Sequence, residues 1–110
     1  MAIEQPLSVE MRFAEGIFVK SIHVHQAGTS VPQHSHAYDH LSLLAAGSIA
    51  VWQDGVFAGE HHAPAMLTIR AGVKHRFDTL TDGVVIFCVH NAARGEGVEV
   101  LDEHHLDEEA

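Results

Sequence analysis

The alternation of apolar and polar residues along this chain predicts β-strands. Residues 17–25 read I-F-V-K-S-I-H-V-H, a β-branched and aromatic run with polar residues interleaved, and this alternation is typical of a strand. Similar runs predict further strands at residues 48–53, 66–69, 75–79 and 84–90. Residues 1–15 favour no particular element.

Short turns separate the predicted strands. Asp54-Gly55 directly follows the run at 48–53, and the pair predicts a β-hairpin because glycine tolerates the positive φ of a tight turn. Val56 and Phe57 would begin the return strand, which a loop over residues 59–64 would interrupt. Residues 71–72 and 81–83 are further predicted turns. Short strands with regular turns favour an all-β sandwich or barrel.

Length and composition fit one domain. The chain has 110 residues, of which 46% are apolar, and these values are ordinary for a single globular domain. We therefore predict one domain over residues 1–110, with its core at about 17–90. The last stretch, L-D-E-H-H-L-D-E-E-A, is acidic and poor in large apolar residues. Residues 102–110 are expected to form a flexible tail, or at most a short helix.

The charge of the chain excludes two classes of partner. Six basic residues against fifteen acidic ones give a formal net charge of −9, whereas nucleic acids and anionic membranes require a basic face. The longest nearly uncharged apolar stretch, residues 41–52, is too short to span a bilayer. No leader of basic, apolar and small residues opens the sequence, so a cytoplasmic protein is expected. The single cysteine, Cys88, cannot form an internal disulfide.

Histidine is the unusual residue type, with eleven copies, and imidazole is the commonest metal ligand in proteins. His34 and His36 would share one face of a strand about 6.5 Å apart, whereas a straight strand would carry His40 about 13 Å further. The chain must bend between His36 and His40 if all three bind one ion. A helix over residues 36–46 is the local alternative, since it would place His36 and His40 on one face. His75 follows 35 residues after His40.

Two sequence motifs resemble the signatures of the cupin superfamily. Gly28, His34, His36, His40 and Gly47 match G-x5-H-x-H-x3,4-E-x6-G, with His40 in place of the usual glutamate. The second signature, P-x-G-x2-H-x3-N, is met in part by Gly72 and His75, whereas Arg70 replaces its proline and Thr79 its asparagine. The resemblance covers roughly residues 17–89. It implies a double-stranded β-helix, or jelly roll, whose chain turns within the first motif, and this decides against the helix.

The resemblance also implies one divalent transition metal inside the barrel, held by His34, His36, His40 and His75. Four neutral ligands would leave the ion its full charge and favour an anionic or enolisable substrate. A six-coordinate ion would keep two adjacent positions for water, substrate or dioxygen. Sites of this family hold Fe, Mn, Ni, Cu or Zn, so we expect a metal-dependent oxygenase of dioxygenase type for a small organic substrate. The alternatives are a non-catalytic sensor of small molecules and an isomerase or lyase that needs no oxygen.

Other residues have weaker claims to the site. Four residues are possible pocket residues, namely Tyr38, Arg70, Phe77 and Cys88. The simpler interpretation is that Tyr38, Phe77 and Cys88 only pack in the interior and that Arg70 is exposed to solvent. Asp39 would orient a ligand imidazole or lie in a solvated turn. His23 and His25 favour an outward or structural position, and His90 a capping or surface position. Small cupins commonly pair through their sheets, so the resemblance implies a homodimer.

Overall fold

The structure is a computed structural model that describes residues 7–32, 35 and 38–91. All the regular elements in these residues are β-strands. In chain order they are β1 (Leu7–Ala14), β2 (Ile17–Val24), β3 (Ser30–Pro32), β4 (His40–Ala46), β5 (Ser48–Gln53), β6 (Val56–His62), β7 (Ala65–Ile69), β8 (His75–Thr79) and β9 (Val84–Asn91).

The strands form two antiparallel sheets. The larger sheet has the order β1-β2-β9-β4-β7 and the smaller one the order β3-β8-β5-β6. Chain neighbours such as β4 and β5 lie in different sheets, so the chain passes repeatedly from one sheet to the other. This is the double-stranded β-helix, or jelly roll, that the sequence motifs predict.

Alternate residues of each strand fill the space between the sheets. The largest fully buried side chains include Phe77, Leu44, Ile49 and Ile86, and they belong to one hydrophobic cluster to which both sheets contribute. Because successive side chains of a strand point to opposite faces, this alternation fixes which residues are inside. The core predicted at about 17–90 therefore contains the buried residues of both sheets, and β1 packs against it through Leu7 and Val9.

Several predicted strands are confirmed, and the boundaries of two are as predicted. β5 and β8 span the residues expected of them, and the Asp54-Gly55 hairpin joins β5 to β6 with φ angles of 51° and 80°. The loop predicted at residues 59–64 is wrong, because β6 continues to His62. The pairing shifts register between Val51 and Trp52, and Gly59 adopts a φ of 126° there. A β-bulge therefore keeps the strand paired where the sequence suggests a break.

Three strands, β1, β3 and β4, were not evident from local sequence. β1 pairs with β2 along its whole length, from Leu7 opposite Val24 to Ala14 opposite Ile17. β4 is a strand although leucine and alanine are good helix formers. It lies between β7 and β9, and pairing on both sides outweighs the local helix propensity.

No helix in the described part of the chain is long and apolar enough to cross a membrane. The predicted tail at 102–110 lies outside the described residues, so its form stays a prediction.

Candidate functional site

Polar side chains are concentrated at one end of the inner face of the larger sheet. In the first row, Phe18 of β2 lies opposite His90 of β9, and His40 of β4 stacks against His90 with ring centroids 4.4 Å apart. In the next row, Lys20 lies opposite Cys88, which in turn lies opposite Ser42. The following rows contain only apolar residues, Ile22, Ile86 and Leu44 in the third and Val24 and Val84 beyond it. The inner face of the larger sheet thus has a polar half and an apolar half.

His90 belongs to this polar half, and its expected capping or surface position is wrong. It is only 4% exposed, and Tyr38 meets its ring edge-on with centroids 5.8 Å apart. The position of His90 in the alternation of β9 already indicates this burial. His90 follows the inward-facing Val84, Ile86 and Cys88 at intervals of two residues, and in a strand this interval places them on one face.

His75, the first residue of β8, is 2% exposed. Its Nδ1 lies 2.8 Å from the carbonyl oxygen of Val73, to which the Nδ1–H donates, so the Nε2 atom carries the free lone pair. None of the described residues forms a hydrogen bond with this buried Nε2. Burial lowers the pKa of His75 below its ordinary value of 6.5, while the Val73 carbonyl and the charge of Asp54 act in the opposite direction. The ring is therefore a neutral, oriented electron-pair donor.

His40 and His75 are held at the same end of the barrel by one turn. His40 lies opposite Ile69 at the end of β7, and the turn over residues 70–74 connects β7 to His75. The Asp39 carboxylate accepts a hydrogen bond of 2.7 Å from the backbone N–H of Ala71. The same carboxylate lies 3.5 Å from the Arg70 guanidinium. Asp39 therefore fastens the turn, and the described contacts give it no hydrogen bond to an imidazole.

Thr79, which stands where the second motif usually has asparagine, connects β8 to the segment that leads towards His34. Its buried hydroxyl accepts a hydrogen bond of 2.9 Å from the Thr29 N–H and donates one of 2.9 Å to the Gln26 carbonyl. The backbone adds two bonds, from Gly28 N–H to the Thr79 carbonyl and from Thr79 N–H to the Thr29 carbonyl. Threonine in place of the usual asparagine thus still supplies a polar side chain, and its hydrogen bonds hold the 26–29 loop.

Cys88 lies inside the barrel, with its sulfur 3.5 Å from the Ser42 hydroxyl. Desolvation raises the pKa of the Cys88 thiol, against the smaller lowering effects of the Lys20 charge and the Ser42 hydroxyl. Cys88 is therefore a protonated thiol at neutral pH, consistent with the packing role expected of it.

The remaining candidates occupy different places. Phe77 is fully buried in the hydrophobic core, whereas Arg70 has 72% of its side chain exposed. His23 is exposed on the outer face, as expected, and its ring lies 4.8 Å from that of His25. Met66 of β7 is 81% exposed. It lies on the outer face because it is an odd number of residues away from the inward-facing Ile69 of the same strand.

His34 and His36 lie outside the described residues, so their part in the site stays a prediction. Within the described part of the chain, no three His, Cys, Asp or Glu side chains form a group that could hold a metal ion. Lys20 was not identified from the sequence. The sequence does contain an indication that Lys20 is buried. It lies two residues from Phe18 and from Ile22, which together with Val24 face inward on the same strand.

Comparisons with known proteins agree on the fold. No protein-family model matches the chain, and no curated protein matches it by sequence. An RmlC-like cupin from Shewanella frigidimarina is 22% identical over 83% of this chain and 81% of its own, with a TM-score of 0.64. An RmlC-like cupin from Methanocaldococcus jannaschii, described as a double-stranded β-helix, is 15% identical over 77% of this chain and 79% of its own, with a TM-score of 0.67.

An enzyme also has this fold. Salicylate 1,2-dioxygenase from Pseudaminobacter salicylatoxidans matches 88% of this chain and 29% of its own at 12% identity, with a TM-score of 0.72. The chain is therefore an all-β barrel protein with a polar interior at one end. Its fold is the one that the RmlC-like cupins and this dioxygenase share, and it is the fold that the two motifs predict. Identities of 12–22% establish the fold alone.

Proposed function

We propose that the protein binds one divalent transition metal through His34, His36, His40 and His75 and acts as a metal-dependent oxygenase. The observation that carries this proposal is the state of His75. A buried imidazole whose Nδ1–H is held by a carbonyl, and whose Nε2 has no protein partner among the described residues, is the usual arrangement of a metal-ligating histidine. His40 is buried at the same end of the barrel and supplies a second imidazole.

The donor set favours a transition metal. Neutral imidazoles suit Fe, Mn, Ni, Cu and Zn, whereas Mg and Ca prefer oxygen ligands. When bound, such an ion supplies Lewis acidity and, for redox-active metals, electrons for oxygen chemistry. The protein's own residues orient the His75 ring through Val73 and exclude water through the apolar half of the barrel. A small anionic or enolisable organic molecule is the substrate class that fits four neutral ligands.

Metal binding is tested by loading the metal-free protein anaerobically with Fe(II) or Mn(II) and measuring bound metal by mass spectrometry. We expect about one ion per chain, and a loss of at least about tenfold in affinity for His75→Ala and for His40→Ala. His62→Ala is the matched control, because His62 is exposed on β6 and should leave binding unchanged. Full metal occupancy in His75→Ala would contradict the proposed site.

Oxygenase activity is tested separately on the loaded protein. Oxygen uptake is followed with panels of diketones, phenols and thiols. Uptake that depends on both metal and substrate is expected. Turnover that continues without oxygen would instead indicate an isomerase or lyase, and tight ligand binding without turnover would indicate a sensor.

We also propose that the chain forms a homodimer through the outer face of the larger sheet. Neighbouring outward positions on β2, β9, β4 and β7 form an outer apolar patch of Val19, Val89, Leu41, Phe87, Leu43 and Met66. The patch contains no charged side chain, whereas the chain carries a net charge of −9. A second copy can therefore approach this face with little charge repulsion, and contiguous apolar patches of this kind mark association surfaces.

A further inference from the structure

His23 and His25 form a pair of imidazoles outside the barrel interior that the proposed function does not use. The residue between them, Val24, is fully buried, so the two histidines lie on the opposite, outer side of the larger sheet. Their ring centroids are 4.8 Å apart, and the ring planes are inclined by 44°. His23 is exposed and His25 is half-buried, so the pair is open to solvent.

The backbone that carries this pair is held in place on both sides. His23 lies in β2, between Ser8 of β1 and Val85 of β9. His25 directly follows β2, and its carbonyl oxygen accepts a hydrogen bond of 3.2 Å from the Gly83 N–H. The two side chains therefore project from a rigid base, and little backbone freedom is lost when both bind one ligand.

The spacing of the two rings fits a shared metal ion. An imidazole nitrogen binds such an ion at about 2.0–2.1 Å, which places the ion about 3.2 Å from the centre of the ring. Two bound rings then have centroids about 4.5 Å apart at a right angle around the ion and about 5.2 Å apart at the tetrahedral angle. The 4.8 Å between the centroids of His23 and His25 lies between these values. In the described part of the chain, no side chain forms a hydrogen bond or ion pair with either ring.

We infer that His23 and His25 chelate a divalent transition metal at an outer metal site, separate from the interior one. Two imidazoles bind Cu²⁺ most tightly, with Ni²⁺ and Zn²⁺ below it and Fe²⁺ and Mn²⁺ at the weak end of the order. Water completes the coordination, since no third His, Cys, Asp or Glu side chain among the described residues forms a metal-binding group with the pair. The net charge of −9 favours the approach of a cation.

Calorimetric titration of the metal-free protein with Cu²⁺ and with Ni²⁺ tests the inference. We expect the outer metal site to lose at least about tenfold in affinity in His23→Gln and in His25→Gln, because each substitution leaves one ligand where two acted together. Both substitutions affect side chains open to solvent, so the variants should fold. Unchanged affinity in either variant would overturn the inference.

His62→Gln is the matched control. His61 and His62 are neighbours in β6, and adjacent residues of a strand point to opposite faces, so these two rings cannot chelate one ion. The Nδ1 atom of His62 also lies 2.7 Å from the Ser48 hydroxyl. His62→Gln should therefore bind Cu²⁺ and Ni²⁺ as the unaltered chain does. A loss as large as that in His25→Gln would show that the metal binds to exposed histidines without selection, and would overturn the outer metal site.

A measurement on the unaltered protein shows whether both rings bind the same ion. Cu²⁺ is paramagnetic, so stepwise additions should broaden the ring proton NMR signals of His23 and His25 together, and at lower concentration than those of His61 and His62. Broadening of only one ring of the outer pair, or equal broadening of His61 and His62, would contradict chelation.

The outer and interior metal sites can fail separately. His75→Ala removes a proposed interior ligand and should keep the outer metal site, whereas His25→Gln should keep the interior one. A chain that binds Cu²⁺ through His23 and His25 but takes up no metal in its interior would contradict the proposed function alone. Binding that is lost in His75→Ala but unchanged in His23→Gln and His25→Gln would contradict the outer metal site alone.

Discussion

At the scale of single residues, the barrel interior combines polar groups that hydrogen bonds orient with apolar groups that exclude water. His75 illustrates this combination, because one ring nitrogen is fixed by a backbone carbonyl and the other is buried without a partner among the described residues. Thr79 illustrates it in a different role, since its buried hydroxyl is satisfied on both sides by the 26–29 loop. Each arrangement leads to a measurable expectation.

Acid should destabilise the metal-free protein through His75. Its folded-state pKa lies below the ordinary value of 6.5, so the unfolded chain takes up a proton at a pH where the folded chain does not. The contribution to stability is therefore complete above about pH 6.5 and is lost as the pH falls below it. Urea unfolding in the presence of a chelator, between about pH 5 and 8, measures this effect. His75→Gln should show a shallower dependence on pH, and an unchanged dependence would contradict the assignment.

Removing the Thr79 hydroxyl should loosen the 26–29 loop. Thr79→Val keeps the shape of the side chain but leaves the Thr29 N–H without its acceptor and removes one of the two hydroxyl donors to the Gln26 carbonyl. We expect a loss of about 1–3 kcal/mol in the free energy of unfolding. Thr29→Val is the control. Its hydroxyl donates only to Gln26 in an exposed position, so the cost should stay below about 1 kcal/mol. Equal losses in denaturant unfolding would contradict a special role for Thr79.

At the scale of the elements, tight turns determine how the strands pass between the sheets. Gly28 and Gly47, both part of the first motif, adopt φ angles of 79° and 80°, a conformation that other residues adopt only with strain. Gly47 has a second constraint. A Cβ atom there would lie 2.7 Å from Cγ2 of Val84 and 2.8 Å from Oγ1 of Thr81, whereas Gly28 has open space around it.

These two glycines form a matched pair for a mutation test. Gly28→Ala should cost about 1–2 kcal/mol from the backbone conformation alone. Gly47→Ala should cost the same amount plus about 1–3 kcal/mol for the overpacking against Val84. Chemical denaturation of both variants gives the comparison. Equal losses of stability in Gly47→Ala and Gly28→Ala would contradict this expectation. They would mean that the close approach between the β4–β5 turn and Val84 of β9 does not disfavour a Cβ atom at position 47.

At the scale of the whole molecule, the two faces of the larger sheet carry different kinds of side chain. Its inner face carries the row of Lys20, Cys88 and Ser42 and the His40–His90 pair, and its outer face carries the outer apolar patch. The proposed interior metal site and the proposed dimer interface thus lie on opposite faces of the same strands. A change on the outer face can therefore alter assembly without touching the interior.

Leu41→Asp should separate the proposed dimer. Leu41 lies in the outer apolar patch and is exposed, so a carboxylate is tolerated in the monomer but would place two negative charges in the paired interface. We expect light scattering to report a dimer for the unaltered chain and a monomer for Leu41→Asp at the same concentration. Val56→Asp is the control, because Val56 is exposed at the start of β6 in the other sheet. A monomeric unaltered chain would contradict the proposal.

The sequence by itself determined the all-β class, the exact limits of β5 and β8, the Asp54-Gly55 hairpin and the resemblance to cupins. These features follow from local rules, namely strand periodicity, turn chemistry and the spacing of glycines and histidines. Local rules failed for β4, whose composition also suits a helix, and for β6, where a bulge keeps the strand paired beyond Gly59. In both cases the deciding energy comes from pairing with strands distant along the chain.

The tertiary structure alone decided the composition of the interior. Parity shows that Lys20, His90 and Cys88 share a face with apolar neighbours, but only the packing of the second sheet makes that face the inside. The stacking of His90 on His40 likewise joins residues fifty positions apart in sequence. Contacts of this range depend on how two sheets close over one another, which no local pattern encodes. The spacing of the histidines in the sequence therefore predicts which residues could form the site. Only the packing of the two sheets shows which of the described side chains are enclosed.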